Sequence, residues 1–195
     1  NFGIIFAGAQ KNLGPAGLTL VIIRDDILEK SPETLGAYLS YKTHVTKVKA
    51  KDGTEKTEIS LYNTPPVFSV WALNRVLKWM EKNGGLDGIQ KQNEAKAALI
   101  YDAIDASKGF YDCPVEKANR SLMNIVWTIK KPGLSEDEAA AMDKAFLKGA
   151  EALGMLGLAG HRSVGGFRAS MYNALPMESA KALAAYMKDF ASRNA

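Results

Sequence analysis

Lys11 is the residue in this sequence best placed for covalent chemistry. It lies in Ala7-Gly8-Ala9-Gln10-Lys11-Asn12-Leu13-Gly14-Pro15-Ala16-Gly17, a turn of small residues. Short apolar runs flank it, Gly3-Ile4-Ile5-Phe6 before and Leu18-Thr19-Leu20-Val21-Ile22-Ile23 after. Short β-branched runs of this kind read as buried strands. Glycine allows a sharp turn and close approach of another body. A lysine at such a strand end faces a crevice, where its amine can form a Schiff base with a carbonyl cofactor. From spacing alone it reads more readily as a solvated loop lysine, as most lysines are. Gln10 beside it reads as an ordinary loop amide.

Two other stretches could bind anions. Asn63-Thr64-Pro65-Pro66 precedes an apolar helical pattern, and a helix N-terminus favours negative charge. Pro65 and Pro66 remove two N–H donors from that turn, so contacts there fall to the Asn63 and Thr64 side chains and the preceding amides. Thr64 also reads as a simple helix cap. The third stretch is His161-Arg162-Ser163-Val164-Gly165-Gly166-Phe167-Arg168-Ala169-Ser170. The planar fork of Arg168 can grip a carboxylate through two parallel hydrogen bonds. His161 and Arg162 supply donors and charge for a second anion, and the glycine pair lets a ligand reach the backbone. By residue type alone this is also a basic surface cluster.

The elements that must position these residues follow from periodicity. Residues 1–23 read as strand, lysine turn and strand, with either Asp25 or Asp26 capping a short helix from Ile27. Residues 43–61 alternate around an Asp52-Gly53 turn signal, which predicts a polar two-stranded ribbon. Pro65 opens a long helix to about Lys82, stopped by Asn83-Gly84-Gly85. Its apolar residues lie on several faces, as for a helix that meets both a core and a partner. A second helix spans roughly 86–107. Leu122–Ile129 reads as a strand with Met123, Ile125, Trp127 and Ile129 on one face. Ser135-Glu136-Asp137-Glu138 is a capping box, and its helix is expected to bury Met142, Ala145, Phe146 and Gly149. Gly154 and Gly157 follow, and Pro176 opens a last helix.

Composition sets outer bounds. The chain has 195 residues, a formal net charge of +4 and 47% hydrophobic residues, enough for a real core. The basic residues are spread along the chain, which does not point to nucleic acid. No apolar run approaches the roughly 18 residues of a membrane span. No metal is implied. Cys113 is the single cysteine, which fits a reducing compartment and reads as buried or neutral rather than nucleophilic. The chain starts at Asn1 and enters a strand almost at once. It is therefore expected to be the C-terminal part of a longer polypeptide, inactive and poorly soluble alone.

The segment Gly8–Gly17, the Asn63-Thr64-Pro65-Pro66 stretch and the His161–Ser170 stretch, in that order, resemble the phosphoserine aminotransferase family of class-V enzymes. The resemblance covers nearly the whole chain. It implies an α/β fold of the aspartate-aminotransferase type (fold type I), with residues 1–92 from the large domain and 93–195 forming the small one. The 43–61 ribbon looks like an insertion relative to that family. The cofactor implied is pyridoxal 5'-phosphate, bound by Gln10, Lys11, Asn63 and Thr64, with Lys11 catalytic. The same resemblance makes His161, Arg162 and Arg168 substrate-binding, the first two toward a phosphate and the third toward an α-carboxylate. The reaction implied transfers an amino group from glutamate to 3-phosphohydroxypyruvate, giving phosphoserine and 2-oxoglutarate. It also implies a cytoplasmic homodimer whose Asn63 and Thr64 reach the neighbouring subunit's cofactor. Another class-V enzyme, or a non-catalytic piece acting only in association, stands as the alternative.

Overall fold

The computed structural model describes residues 2–59 and 62–194. The chain divides into two compact units between Trp79 and Met80.

In the first unit, β1 (Ile4–Gly8) pairs antiparallel with β2 (Thr19–Ile23), from Ile4 opposite Ile23 to Gly8 opposite Thr19. The expected burial of these strands is not met. Phe6 is 76% exposed on one face and Ile22 66% on the other. The reason is simple: an apolar run reports what a strand can bury, and a two-stranded sheet has no layer over either face. α1 (Asp25–Glu29) lies close, with Ile27 beside Gly3. This helix starts earlier than expected, because the Arg24 carbonyl accepts from both Ile27 and Leu28 while both aspartates sit inside the first turn.

Two short 3-10 turns lead to β3 (Val45–Lys49), which pairs antiparallel with β4 (Glu55–Ile59). Asp52 closes the connecting turn by accepting from the Thr54 amide at 3.0 Å and the Thr54 hydroxyl at 2.6 Å. Residues 60 and 61, the end of the expected ribbon, lie outside the described residues. At the ribbon's base His44 meets Tyr62 edge to face at 6.1 Å. The long helix α2 (Val67–Lys82) begins two residues later than the proline signal implies. The Pro66 carbonyl accepts from Val70 at 3.0 Å, so the first helical bond is made after both prolines, and Thr64 is too far out to cap it.

The second unit contains α3 (Gly85–Asp105), β5 (Tyr111–Asp112), β6 (Asn124–Ile129), α4 (Glu136–Ala152), β7 (Phe167–Ser170) and α5 (Met177–Asn194). The strands form one antiparallel sheet in the order β5-β6-β7. β6 starts at Asn124, not Leu122, because the Ser121 hydroxyl accepts from the Met123 and Asn124 amides and turns the chain there. One sheet face, with Ile125, Trp127, Phe167 and Ala169, packs against buried residues of the three helices such as Ile100, Phe146 and Met187. α4 starts in a full capping box between Ser135 and Glu138. It buries Phe146 and Ala150, whereas Ala145 faces solvent. No described helix is long and apolar enough to cross a membrane.

The bare β1–β2 faces carry a consequence for the chain as given. Exposed strand edges and apolar faces recruit other chains. Residues 1–195 expressed alone should elute as aggregate on gel filtration, and the Phe6→Lys/Ile22→Lys variant should shift that material toward monomer. Unchanged aggregation in the variant would place the association elsewhere.

Candidate active site

The first unit carries Gln10, Lys11, Asn63 and Thr64. β1 delivers the lysine turn. The Ala9 amide extends the ladder by one bond, to the Leu18 carbonyl at 2.9 Å, and Ala9 is buried. The Lys11 amide then bonds to the Ala9 carbonyl at 2.7 Å, so the chain reverses within three residues. Lys11 and Gln10 are both exposed at this reversal. Gly8 lies under the Gln10 side chain: a Cβ there would stand 2.4 Å from Gln10 Oε1. The Gln10 side chain folds back over the Gly8 position.

The return arm of the loop rests on α2. The Ser69 hydroxyl donates to the Ala16 carbonyl at 3.4 Å. Gly14, with φ at +151°, lies where a Cβ would stand 3.8 Å from the Leu73 amide nitrogen. Ser69 and Leu73 are the two buried residues of α2. Neither stood out in the sequence as part of a site; the signal was a serine inside an otherwise apolar stretch of helix. Asn63 and Thr64 are exposed just ahead of the same helix. By residue type, the primary amine and neighbouring amide of Lys11 and Gln10 suit a carbonyl ligand, and the amide–hydroxyl pair of Asn63 and Thr64 at a helix entry suits a phosphate.

The second unit carries His161, Arg162 and Arg168. The turn closes when the His161 carbonyl accepts from the Val164 and Gly165 amides, both at 2.8 Å. His161 Nδ1 accepts from the Ser163 amide at 3.3 Å and lies 2.6 Å from the Ser163 hydroxyl. These partners put the proton of the neutral ring on Nε2, which is left as the donor for a ligand. Gly160 donates to the Gly166 carbonyl at 2.8 Å, and the Arg168 amide to the Leu158 carbonyl at 2.8 Å. These bonds clamp the loop where it enters β7. Strand alternation sends Phe167 and Ala169 into the core and turns Arg168 and Ser170 outward. Arg168 stands opposite Val126, and Ser170 opposite Asn124, with a 3.4 Å contact from the Ser170 hydroxyl to Asn124 Oδ1. Asn124 and Ser170 are polar neighbours of Arg168 that sequence reasoning did not single out. Cys113 is half-buried, with Sγ 3.7 Å from the Val115 carbonyl.

The family profile described as aminotransferase class-V matches residues 1–183. The chain belongs to the class-V aminotransferases. It is 47% identical over 192 residues to a phosphoserine aminotransferase of Geobacillus kaustophilus, covering 98% of this chain and 48% of that protein. Identity to one from Niallia circulans is 49% over 189 residues, covering 97% of this chain and 47% of that protein. Among solved structures, the phosphoserine aminotransferase from Bacillus circulans subsp. alkalophilus superposes with a TM-score of 0.83 at 46% identity, covering 100% of this chain and 48% of that one. A PLP-bound phosphoserine aminotransferase from Trichomonas vaginalis gives 0.77 at 37% identity, covering 95% and 48%. An alanine–glyoxylate aminotransferase from Nostoc, at 15% identity and a TM-score of 0.65, shares the fold. The fold is therefore that of the class-V, fold-type-I aminotransferases. The chain spans about half the length of the relatives it matches.

The crowding at Gly160 yields a direct check on the loop. A Cβ there would stand 1.9 Å from the Gly165 carbonyl oxygen. Gly160→Ala should cost about 1–3 kcal/mol by forced backbone displacement, read as a lower thermal midpoint with faster amide exchange at Gly160 and Arg168. An unchanged midpoint and unchanged exchange would mean the loop is not clamped as described.

Proposed function

We propose that this chain is the part of a phosphoserine aminotransferase that carries the catalytic lysine and the substrate-binding arginines. The carrying observation is the exposed Lys11 turn, locked at Ala9 and cushioned on α2, in a class-V chain 47–49% identical to enzymes of that name. The reaction is amino transfer between glutamate and 3-phosphohydroxypyruvate. In the full-length enzyme, residues 1–92 belong to the large domain, with the 43–61 ribbon as an insertion, and residues 93–195 form the small domain.

Lys11 would hold pyridoxal 5'-phosphate through Nζ, with Gln10 against it, while Asn63 and Thr64 of the partner subunit would donate to its phosphate. When bound, this cofactor supplies an electron-poor ring that accepts the electrons of the substrate Cα–H bond. Lys11 Nζ would be the base that removes the Cα proton. Arg168 grips the α-carboxylate that every substrate carries, fixing the Cα position. His161 and Arg162 bind the phosphate of the phosphorylated substrate, His161 through Nε2. The open faces of β1 and β2 suit a protein in which further chain covers them, and the chain's relatives are about twice its length. The active form is a homodimer in which Asn63 and Thr64 serve the neighbouring subunit. A cytoplasmic setting suits the lone thiol of Cys113.

Lys11→Ala in the full-length protein should abolish turnover and the visible absorbance of the loaded enzyme, with little change in thermal midpoint. Borohydride reduction and peptide mapping of the wild type should place the cofactor label on Lys11, and a label on another lysine would end the assignment.

The two arginines should separate by substrate. Arg162→Ala should raise KM for phosphorylated substrates far more than for glutamate, whereas Arg168→Ala should weaken both. Each lost charged contact costs about 2–5 kcal/mol in a desolvated site. Equal losses toward glutamate and phosphoserine in Arg162→Ala would refute this division.

A further inference from the structure

Lys96 is the least expected side chain in the second unit. It lies on α3, is 1% exposed, and has no carboxylate partner among the described residues. Its ammonium instead donates to three backbone carbonyls, Tyr172 at 2.9 Å, Asn173 at 3.3 Å and Leu175 at 3.2 Å. One turn earlier on α3, the buried Asn93 donates through Nδ2 to Asn173 Oδ1 at 2.8 Å. Both residues grip the same segment, the turn that joins β7 to α5.

Burying a charge without a counter-charge is expensive, several kcal/mol in real proteins. Burial accordingly pushes Lys96 down from the ordinary lysine value. A buried turn needs donors for its carbonyls, but a neutral amide could serve one or two of them. Only an ammonium radiates three donors from a single atom. What Lys96 adds is a fixed convergence of three carbonyls at one point.

That point lies just beyond the strand that bears Arg168. β7 is four residues long, and its entry is held by the Gly160–Gly166 and Arg168–Leu158 bonds. Its exit is held by the Met171 amide on the Met123 carbonyl at 2.7 Å and then by the Lys96 grip. We propose that Lys96, assisted by Asn93, is a positioning residue for substrate carboxylate binding, setting the exit of β7 and through it the placement of Arg168. This rests on the aminotransferase reading above. A short strand held at both ends transmits a shift at one end to its middle, and Arg168 is four residues from Tyr172.

The test uses the full-length, cofactor-loaded enzyme with Lys96→Met, which keeps the stem and removes the donors, and with Asn93→Leu as a milder variant. Glutamate and phosphorylated-substrate KM should rise together, roughly ten- to a hundredfold for Lys96→Met, as expected for a misplaced binding group. Asn93→Leu should move both KM values the same way by less. Visible absorbance from cofactor on Lys11 should be retained. A role in stability alone would lower the folded fraction and apparent kcat while leaving KM unchanged. The decisive arm is the Lys96→Met/Arg168→Ala double variant. If Lys96 acts through Arg168, its kcat/KM should equal that of Arg168→Ala alone. Unchanged KM in the single variants, or full additivity in the double variant, overturns the proposal. If Lys96→Met does not fold, Asn93→Leu and its double variant with Arg168→Ala decide by the same criteria. A wild type with no transaminase turnover overturns the functional reading and this proposal with it. A wild type that turns over, with variants of unchanged KM, overturns this proposal alone.

Discussion

The pairing of Trp127 with Phe167 across β6 and β7 is the interaction on which the second unit depends. The two rings stack at 5.6 Å with 25° between their planes. Phe146 of α4 lies against both, at 6.2 and 4.6 Å, and passes the contact on to Tyr186 and Phe190 of α5. Burying each such side chain contributes about 1.5–3 kcal/mol, and well-placed aromatic pairs add about 0.5–1.5 kcal/mol. The cluster also fixes which way β7 faces. With Phe167 and Ala169 committed to the core, a one-residue register slip would bury the Arg168 guanidinium. The arginine is thus presented to solvent by the packing of its neighbours, before any ligand arrives. Trp127 Nε1 is buried in this cluster with no hydrogen-bond partner among the described residues.

Both candidate loops follow one physical plan. The reactive side chains are exposed, and the backbone beneath them is locked. In the lysine turn the lock is the Ala9–Leu18 bond, the Lys11–Ala9 bond and the Ser69 hydroxyl on the Ala16 carbonyl. In the His161–Arg168 loop it is Gly160 against the Gly165 carbonyl, and Gly166 at φ +64° against the Trp127 carbonyl. A flexible side chain on a fixed backbone loses only its own rotamer freedom on binding, which keeps the entropy cost of each contact small.

How much of this was legible in the sequence divides by distance along the chain. The Ser135–Glu138 capping box, the Asp52-Gly53 turn and the positions of most helices depend on residues within a few positions of each other. Local chemistry specifies them, so they could be read directly. The lysine turn itself was legible because its small residues and flanking apolar runs are contiguous. What could not be read was whether β1 and β2 are covered. Their composition records a capacity for burial, while exposure depends on whatever lies over them.

The same limit applies at finer scale. Thr64 looked like a helix cap, but the tertiary start of α2 after both prolines leaves it outside the helix. Lys96, between Ala95 and Ala97 on α3, looks like one more solvated lysine. Its burial depends on carbonyls 76 to 79 residues further on. The sequence by itself determined the elements, the family and the reactive residue types, because these are carried by contiguous patterns. Only the tertiary structure decided which side chains are buried, which backbone groups converge and which glycines are obligatory, because those depend on atoms brought together from distant parts of the chain.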